Sequence, residues 1–175
     1  MHQRIQVDHL LLNGKLVYDP KRVNPANGKG MRKAHKERTL IVDLPRDDLA
    51  DYYRSLISKR HHVFLQPPLW GAHMTVVGGA EFNKIKNHDA WRKYEGKRVQ
   101  LKVAPHRIYK AWQFWVLPVI DDGFFIKIRT ELGLSKPINF HITIARDYDP
   151  DSYPAPRPEV IIPINKLSVG GDYVQ

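Results

Sequence analysis

Apolar positions recur with a strand-like period of two along most of this chain, and with a helical period in two stretches. Leu10-Leu-Leu12 and Leu16-Val-Tyr18 flank Asn13-Gly14, an arrangement that predicts a hairpin. Residues 39–44 form a continuous apolar run, expected as a central strand. A turn at 45–48 and its acids then open a helix over about 47–61, with Leu49, Tyr52 or Tyr53, Leu56 and Ile57 as its apolar stripe. A strand follows at Trp70-Gly-Ala-His-Met-Thr-Val-Val and stops at Gly78-Gly79. Residues 87–96 read as a short helix ended by Gly96, residues 98–104 alternate as a half-exposed strand, and 107–120 suggest a hairpin. Asp121-Asp122 open a second helix running to Leu132, with Phe124, Phe125, Ile128 and Leu132 on one face; Gly133 and Pro137 end it. A strand at Phe140-His-Ile-Thr-Ile-Ala-Arg146 comes next, and residues 159–165 read as a last strand, placed at an edge by Pro163.

Strand, helix, strand thus occurs twice, around 39–79 and 97–146. The pattern predicts an α+β fold of two similar lobes, built from duplicated strand–helix–strand units with antiparallel sheets around a central cleft. At 175 residues the chain is expected to be one domain, 1–175, interrupted by a polar basic loop at 21–38 and a proline-rich loop at 147–158.

The two repeated strands carry the chemistry. Each holds a His, one apolar residue, a Thr and a β-branched residue: His73-Met-Thr75-Val and His141-Ile-Thr143-Ile. The chain has four threonines, and two of them sit two places after a histidine in matching apolar surroundings. Side chains two apart on a strand share a face, so each strand would bury its aliphatic side and offer an imidazole beside a hydroxyl. A single such pair is most often a polar strand face; the duplicate points to a shared site.

Composition narrows the substrate. The net charge of +10 favours a polyanion or phosphate-bearing partner. There is no cysteine, which excludes thiolate chemistry and disulfides and fits a reducing cytoplasm. The N-terminal residues carry no apolar core of a signal peptide and no run approaches a membrane span, so a cytoplasmic protein with no membrane partner is expected.

Two facing imidazoles can take a proton from an attacking hydroxyl and give one to a leaving oxygen, while two Thr hydroxyls hold non-bridging phosphate oxygens. Such a phosphodiester cleavage needs no metal or other cofactor. Zinc is the competing use of two histidines, but neither motif has an acid within three residues on its N-terminal side, and no His-Glu-x-x-His occurs.

With these residues in place, the chain resembles the 2H phosphoesterase superfamily, whose signature is twin His-x-Thr-x motifs; neither motif here departs from the pattern. The resemblance covers about residues 39–167. It implies a two-lobed fold and metal-free action on 2′,3′-cyclic phosphates, RNA ends or cyclic nucleotides, with His73, Thr75, His141 and Thr143 as catalytic residues. The segments around the motifs are similar to phage anti-CBASS enzymes, which open the cyclic oligonucleotide messengers of bacterial immunity; on that reading the compartment is the host cytoplasm. An RNA 2′,3′-cyclic phosphodiesterase of the bacterial ligase-like branch is the alternative within the superfamily, and a nucleotide-sequestering module the alternative outside it. The partner is then a cyclic oligonucleotide or another nucleotide bearing a 2′-hydroxyl, with no obligate protein partner.

Aromatic side chains would grip the bases, and Trp112, Trp115, Tyr109 and Trp70 are the candidates. Trp112 and Trp115 have opposite strand parity, so only one of them is expected at the site. Arg146 is a candidate for the phosphate; in an unbroken strand it has the opposite parity to His141 and Thr143, so it is expected to serve only if the strand end twists. Tyr18, Lys21 and Arg22 flank the basic loop and are further candidates.

Overall fold

The computed structural model describes residues 9–20, 38–44, 48–68, 71–135 and 139–147. Among them are eight strands: β1 (Leu10–Tyr18), β2 (Leu40–Asp43), β3 (Leu65–Gln66), β4 (His73–Val77), β5 (Arg98–Val103), β6 (Tyr109–Ala111), β7 (Phe114–Ile120) and β8 (His141–Asp147). The helices are α1 (Asp48–His61), α2 (Gly79–Phe82) and α3 (Phe124–Glu131), with short 3₁₀ turns at His88–Ala90 and Pro105–Arg107. The fold class is α+β. No described helix is long and apolar enough to cross a membrane.

All pairings are antiparallel. The strands run β3-β8-β4-β2-β1-β5-β7-β6, and β8 also pairs with β7, so β8-β4-β2-β1-β5-β7 closes into a barrel. The predicted repeat is present as β2–α1–β4 and β7–α3–β8. It does not divide the described residues into two lobes, because both units share the one sheet and exchange their helices. Helix α1 lies against β8 and β3, and α3 lies against β4.

Three sequence expectations need correcting. Asn13-Gly14 is not a hairpin turn: β1 runs unbroken through it. Gly14 is there because its backbone passes so close to β2 that an added Cβ would lie 2.4 Å from Val42 Cγ1 and 3.1 Å from the Asp43 carbonyl oxygen. On α1 Tyr53 and Ile57 of the predicted stripe are buried and Leu49 packs against the core, but Leu56 is exposed and Ala50 is buried instead. Residues 87–96 form only the 3₁₀ turn and successive turns, with Gly96 left-handed at φ +74°. Helix α3 starts as the two acids require: Asp122 accepts the Phe124 N–H, and Asp121 those of Phe125 and Ile126. The predicted strand at 159–165 lies outside the described residues, as do all of the basic loop except Arg38 and all of the proline-rich loop except Asp147.

One face of the sheet makes the core. Leu16, Val42, Met74, Leu101, Leu117 and Ile142 project from it and pack with Ile57 of α1 and with Phe125 and Ile128 of α3. The other face is mixed. Ile41 and Val116 are buried on it but lie outside that core cluster, and polar side chains surround them.

Candidate active site

Both His-x-Thr segments are strands with the predicted alternation. In β4 His73 is half-buried, Met74 buried and Thr75 exposed; in β8 His141 is exposed, Ile142 buried and Thr143 half-buried. Strands β4 and β8 are neighbours with Met74 opposite Ile142. Continuing that antiparallel register one residue each way sets His73 opposite Thr143 and Thr75 opposite His141. The four side chains therefore form one square on the face away from the core. Across such a pair the two histidines are diagonal neighbours, about 7–8 Å apart at Cα. That spacing suits a group such as a phosphate held between two imidazoles.

The duplication holds residue by residue into the flanking strands. On β2 the partners are Leu40↔Val77, Ile41↔Thr75, Val42↔Met74 and Asp43↔His73. On β7 they are Trp115↔Ala145, Val116↔Thr143, Leu117↔Ile142 and Pro118↔His141. Each ladder skips one residue immediately after the threonine, at Val76 and at Ile144. A bulge at that point adds a residue to one strand only, so the side-chain alternation reverses beyond it. Val76-Val77 and Ile144-Ala145 are accordingly buried in succession.

The second bulge changes the place of Arg146. In an unbroken strand it would face the core, but beyond Ile144 it pairs with Phe114 and shares the face of Thr143 and His141. Its guanidinium donates to Gln66 Oε1 (2.8 Å) and to the Pro67 carbonyl (3.2 Å), which ties β8 to the segment leading toward His73. Nothing in the sequence marks the bulge.

Both imidazoles are held by backbone. His73 Nδ1–H donates to the Gly71 carbonyl (2.9 Å), and His141 Nδ1–H donates to the Asn139 carbonyl (3.3 Å). In each case the acceptor is the residue two before the histidine. A carbonyl can only accept, so in the neutral ring the proton sits on Nδ1 and the lone pair on Nε2. The same tautomer is thus set in both motifs.

The aromatic candidates separate. Trp115 is on the core face at 5% exposure, its indole N–H donating to Asp147 Oδ1 (3.2 Å) and its ring 5.4 Å from that of His61. Tyr18 is also core at 4% exposure, edge-on to Trp91, with its hydroxyl pushed to higher pKa mainly by burial. Neither ring is presented to a ligand, because strand parity turns both inward. Tyr109 pairs with Val116, which places it on the His-x-Thr face, half-buried. Trp112 sits at the tip of the β6–β7 hairpin, 66% exposed and at φ +54°, a strained conformation for a bulky residue. Trp70, Lys21 and Arg22 lie outside the described residues.

Two features escaped the sequence reading. Asp43 ends a run that looked wholly apolar, yet its register places it beside His73. Arg129 is 2% exposed and lies under the first motif. It donates to the carbonyl of the bulge residue Val76 (2.7 Å), to both Glu81 carboxylate oxygens (2.9 and 2.6 Å) and to the Ser135 carbonyl. Hydrogen bonding from Arg129 holds the Glu81 carboxyl below its ordinary pKa, and Glu81 also accepts the Gly78 N–H (3.0 Å). The position of Arg129 on the apolar side of α3 was the available signal.

A cavity of about 570 Å³ opens among Leu12, Leu49, Ala50 and Ile142, and none of the four motif side chains lines it. Among the described residues no group of three or more His, Cys, Asp or Glu side chains is placed to hold a metal ion. No family model matches the chain, and no curated protein or solved structure was found to match it.

Proposed function

We propose that this protein is a phosphodiesterase of the 2H type that opens cyclic di- or oligonucleotides at 3′–5′ bonds, in the manner of phage anti-CBASS enzymes, by paired-histidine acid–base catalysis without a metal. The observation that carries the reading is the square of His73, Thr75, His141 and Thr143 on adjacent strands, repeated down to its bulges and its Nδ1 hydrogen bonds. A binding module needs cationic or donor groups at a phosphate, but has no use for two imidazoles set in the same tautomer about one centre.

In the reaction a ribose 2′-hydroxyl attacks the adjacent phosphorus. One Nε2 takes its proton as the new P–O bond forms, and the other imidazolium protonates the departing 5′-oxygen as the old P–O bond breaks. Thr75 and Thr143 hydroxyls donate to the non-bridging oxygens, where charge builds. The products are a 2′,3′-cyclic phosphate end and a 5′-hydroxyl. Arg146, on the same face, supplies positive charge, and Tyr109 and Trp112 are the described aromatic surfaces for bases.

The test is chromatographic turnover in EDTA on a panel of cyclic di- and trinucleotides and an RNA 2′,3′-cyclic phosphate end, with His141→Ala as control. Ring opening that is lost in the variant supports the reading. Activity on the RNA end alone moves the protein to the RNA-processing branch, and binding without turnover makes it a sequestering module.

A further inference from the structure

The registers of the two motifs correspond pair for pair, and at one position the flanking strands differ in charge. Asp43 stands opposite His73 where Pro118 stands opposite His141. We infer that Asp43 breaks the symmetry of the pair, holding His73 as the imidazolium that protonates the leaving oxygen and leaving His141 as the neutral base. The inference rests on the phosphodiesterase reading and adds the direction of proton flow to it.

The argument is one of neighbours. Directly opposed side chains of an antiparallel pair have Cβ atoms about 4.5–5.5 Å apart, within reach of a carboxylate–imidazolium contact. A carboxylate at that range favours the charged ring. His73 faces Asp43 on β2 and Thr143 on β8. Asp43 in turn faces Lys15 on β1, beyond which Arg98 of β5 faces Lys15. Those cations lie one and two strands further from His73 than Asp43 does. His141 faces Thr75 on β4 and Pro118 on β7, with Val116 and Ile120 along the same face of β7. Among these described cross-strand neighbours of His141 none carries a formal charge. Arg146 lies on this face beyond Thr143, on the His73 side, and its charge works against the His73 imidazolium, but its guanidinium is committed to Gln66 and the Pro67 carbonyl. The Nδ1–H bonds to backbone carbonyls, and a phosphate between the rings, act on both alike. The carboxylate decides which ring is charged when substrate arrives.

Asp43 touches no reacting atom in this scheme; it is a positioning residue. Its test is nitrogen-detected NMR titration of the histidine rings in the full chain, wild type and Asp43→Asn, with Asp43→Glu as the charge-conserving control. The expected result is a higher midpoint for His73 than for His141. In Asp43→Asn the His73 midpoint falls by about 0.5–1 pH unit while that of His141 stays. Asp43→Glu keeps the wild-type order. Equal midpoints in the wild type, or no response of His73 to Asp43→Asn, overturn the inference. In turnover, the basic limb of the pH–rate profile moves to lower pH in Asp43→Asn and the acidic limb does not. If the NMR order holds but no nucleotide is opened by the wild type, the enzyme reading fails and the charge asymmetry stands alone. If ring opening occurs with the order reversed, the enzyme reading survives and the assignment falls.

Discussion

The half of the barrel containing β2, α1 and β4 and the half containing β7, α3 and β8 share a backbone plan but not a chemical one. Their registers match pair for pair through His, Thr and the bulge that follows. In the first half the bulge carbonyl of Val76 is held from below by buried Arg129. In the second, strand β8 continues past its bulge to Arg146 and Asp147, which are fastened instead to β3, Trp115 and Lys110. On the proposed mechanism, symmetry is kept where two groups would converge on one centre and dropped where proton transfer would need a direction.

The largest expected effects test whether both halves act at once. His73→Ala and His141→Ala should each lower turnover by about 10²–10⁴-fold, measured under saturating substrate. Thr75→Val and Thr143→Val should each cost about 10²-fold in kcat with KM little changed, since on the proposed mechanism they hold oxygens whose charge grows in the transition state. If one half alone responds, the shared centre is wrong.

A stability difference comes next. Arg129→Met leaves Glu81 and two backbone carbonyls without their donor, and should lower unfolding free energy by about 2–4 kcal/mol in a denaturant titration. The clamp also has an acid limit. The Glu81 carboxyl is held below its unfolded value of 4.5, so its contribution is present above that pH and is lost as pH falls through the lower folded value. Glu81→Gln should therefore show a shallower loss of stability below about pH 4.5 than the wild type. Parallel acid unfolding curves would count against the clamp.

Pro118→Asp would give the second half the carboxylate of the first. The His141 midpoint should then rise by about 0.5–1 pH unit and the pH–rate bell should narrow. The smallest effect lies at the hairpin tip. Trp112→Gly relieves a left-handed backbone and should raise stability by about 0.5–1 kcal/mol, the relief being partly offset by glycine's greater chain entropy. A loss of nucleotide affinity in the same variant would show that the ring is kept for contact.

The periodicity reveals most strands, α1, α3 and the repeat, because a period of two and a shared His-x-Thr face are local properties. The pairing of β4 with β8 is not local, so the sequence could offer two motifs but not their square. Gly14 misled because an Asn-Gly pair between apolar runs has the chemistry of a turn, and only the nearness of Val42 explains it. Parity alone turns Arg146 away from the site, and a bulge overrules parity without leaving a residue signature. Asp43 was hidden at the end of an apolar run whose cross-strand partner the sequence does not name.

The exchange of helices, α1 on the strand of the second motif and α3 on that of the first, has a bearing on ancestry. A single copy of the repeat would leave the apolar side of its own motif strand bare, its helix reaching for a strand it did not possess. Two identical copies related by a two-fold axis through the pair now occupied by Met74 and Ile142 would cover both. On that axis each subunit of a homodimer would lend one histidine and one threonine to a common centre. Gene fusion would then add no contacts. It would free the two copies to diverge, and an aspartate on one side with a proline on the other is a change that no symmetric dimer could make.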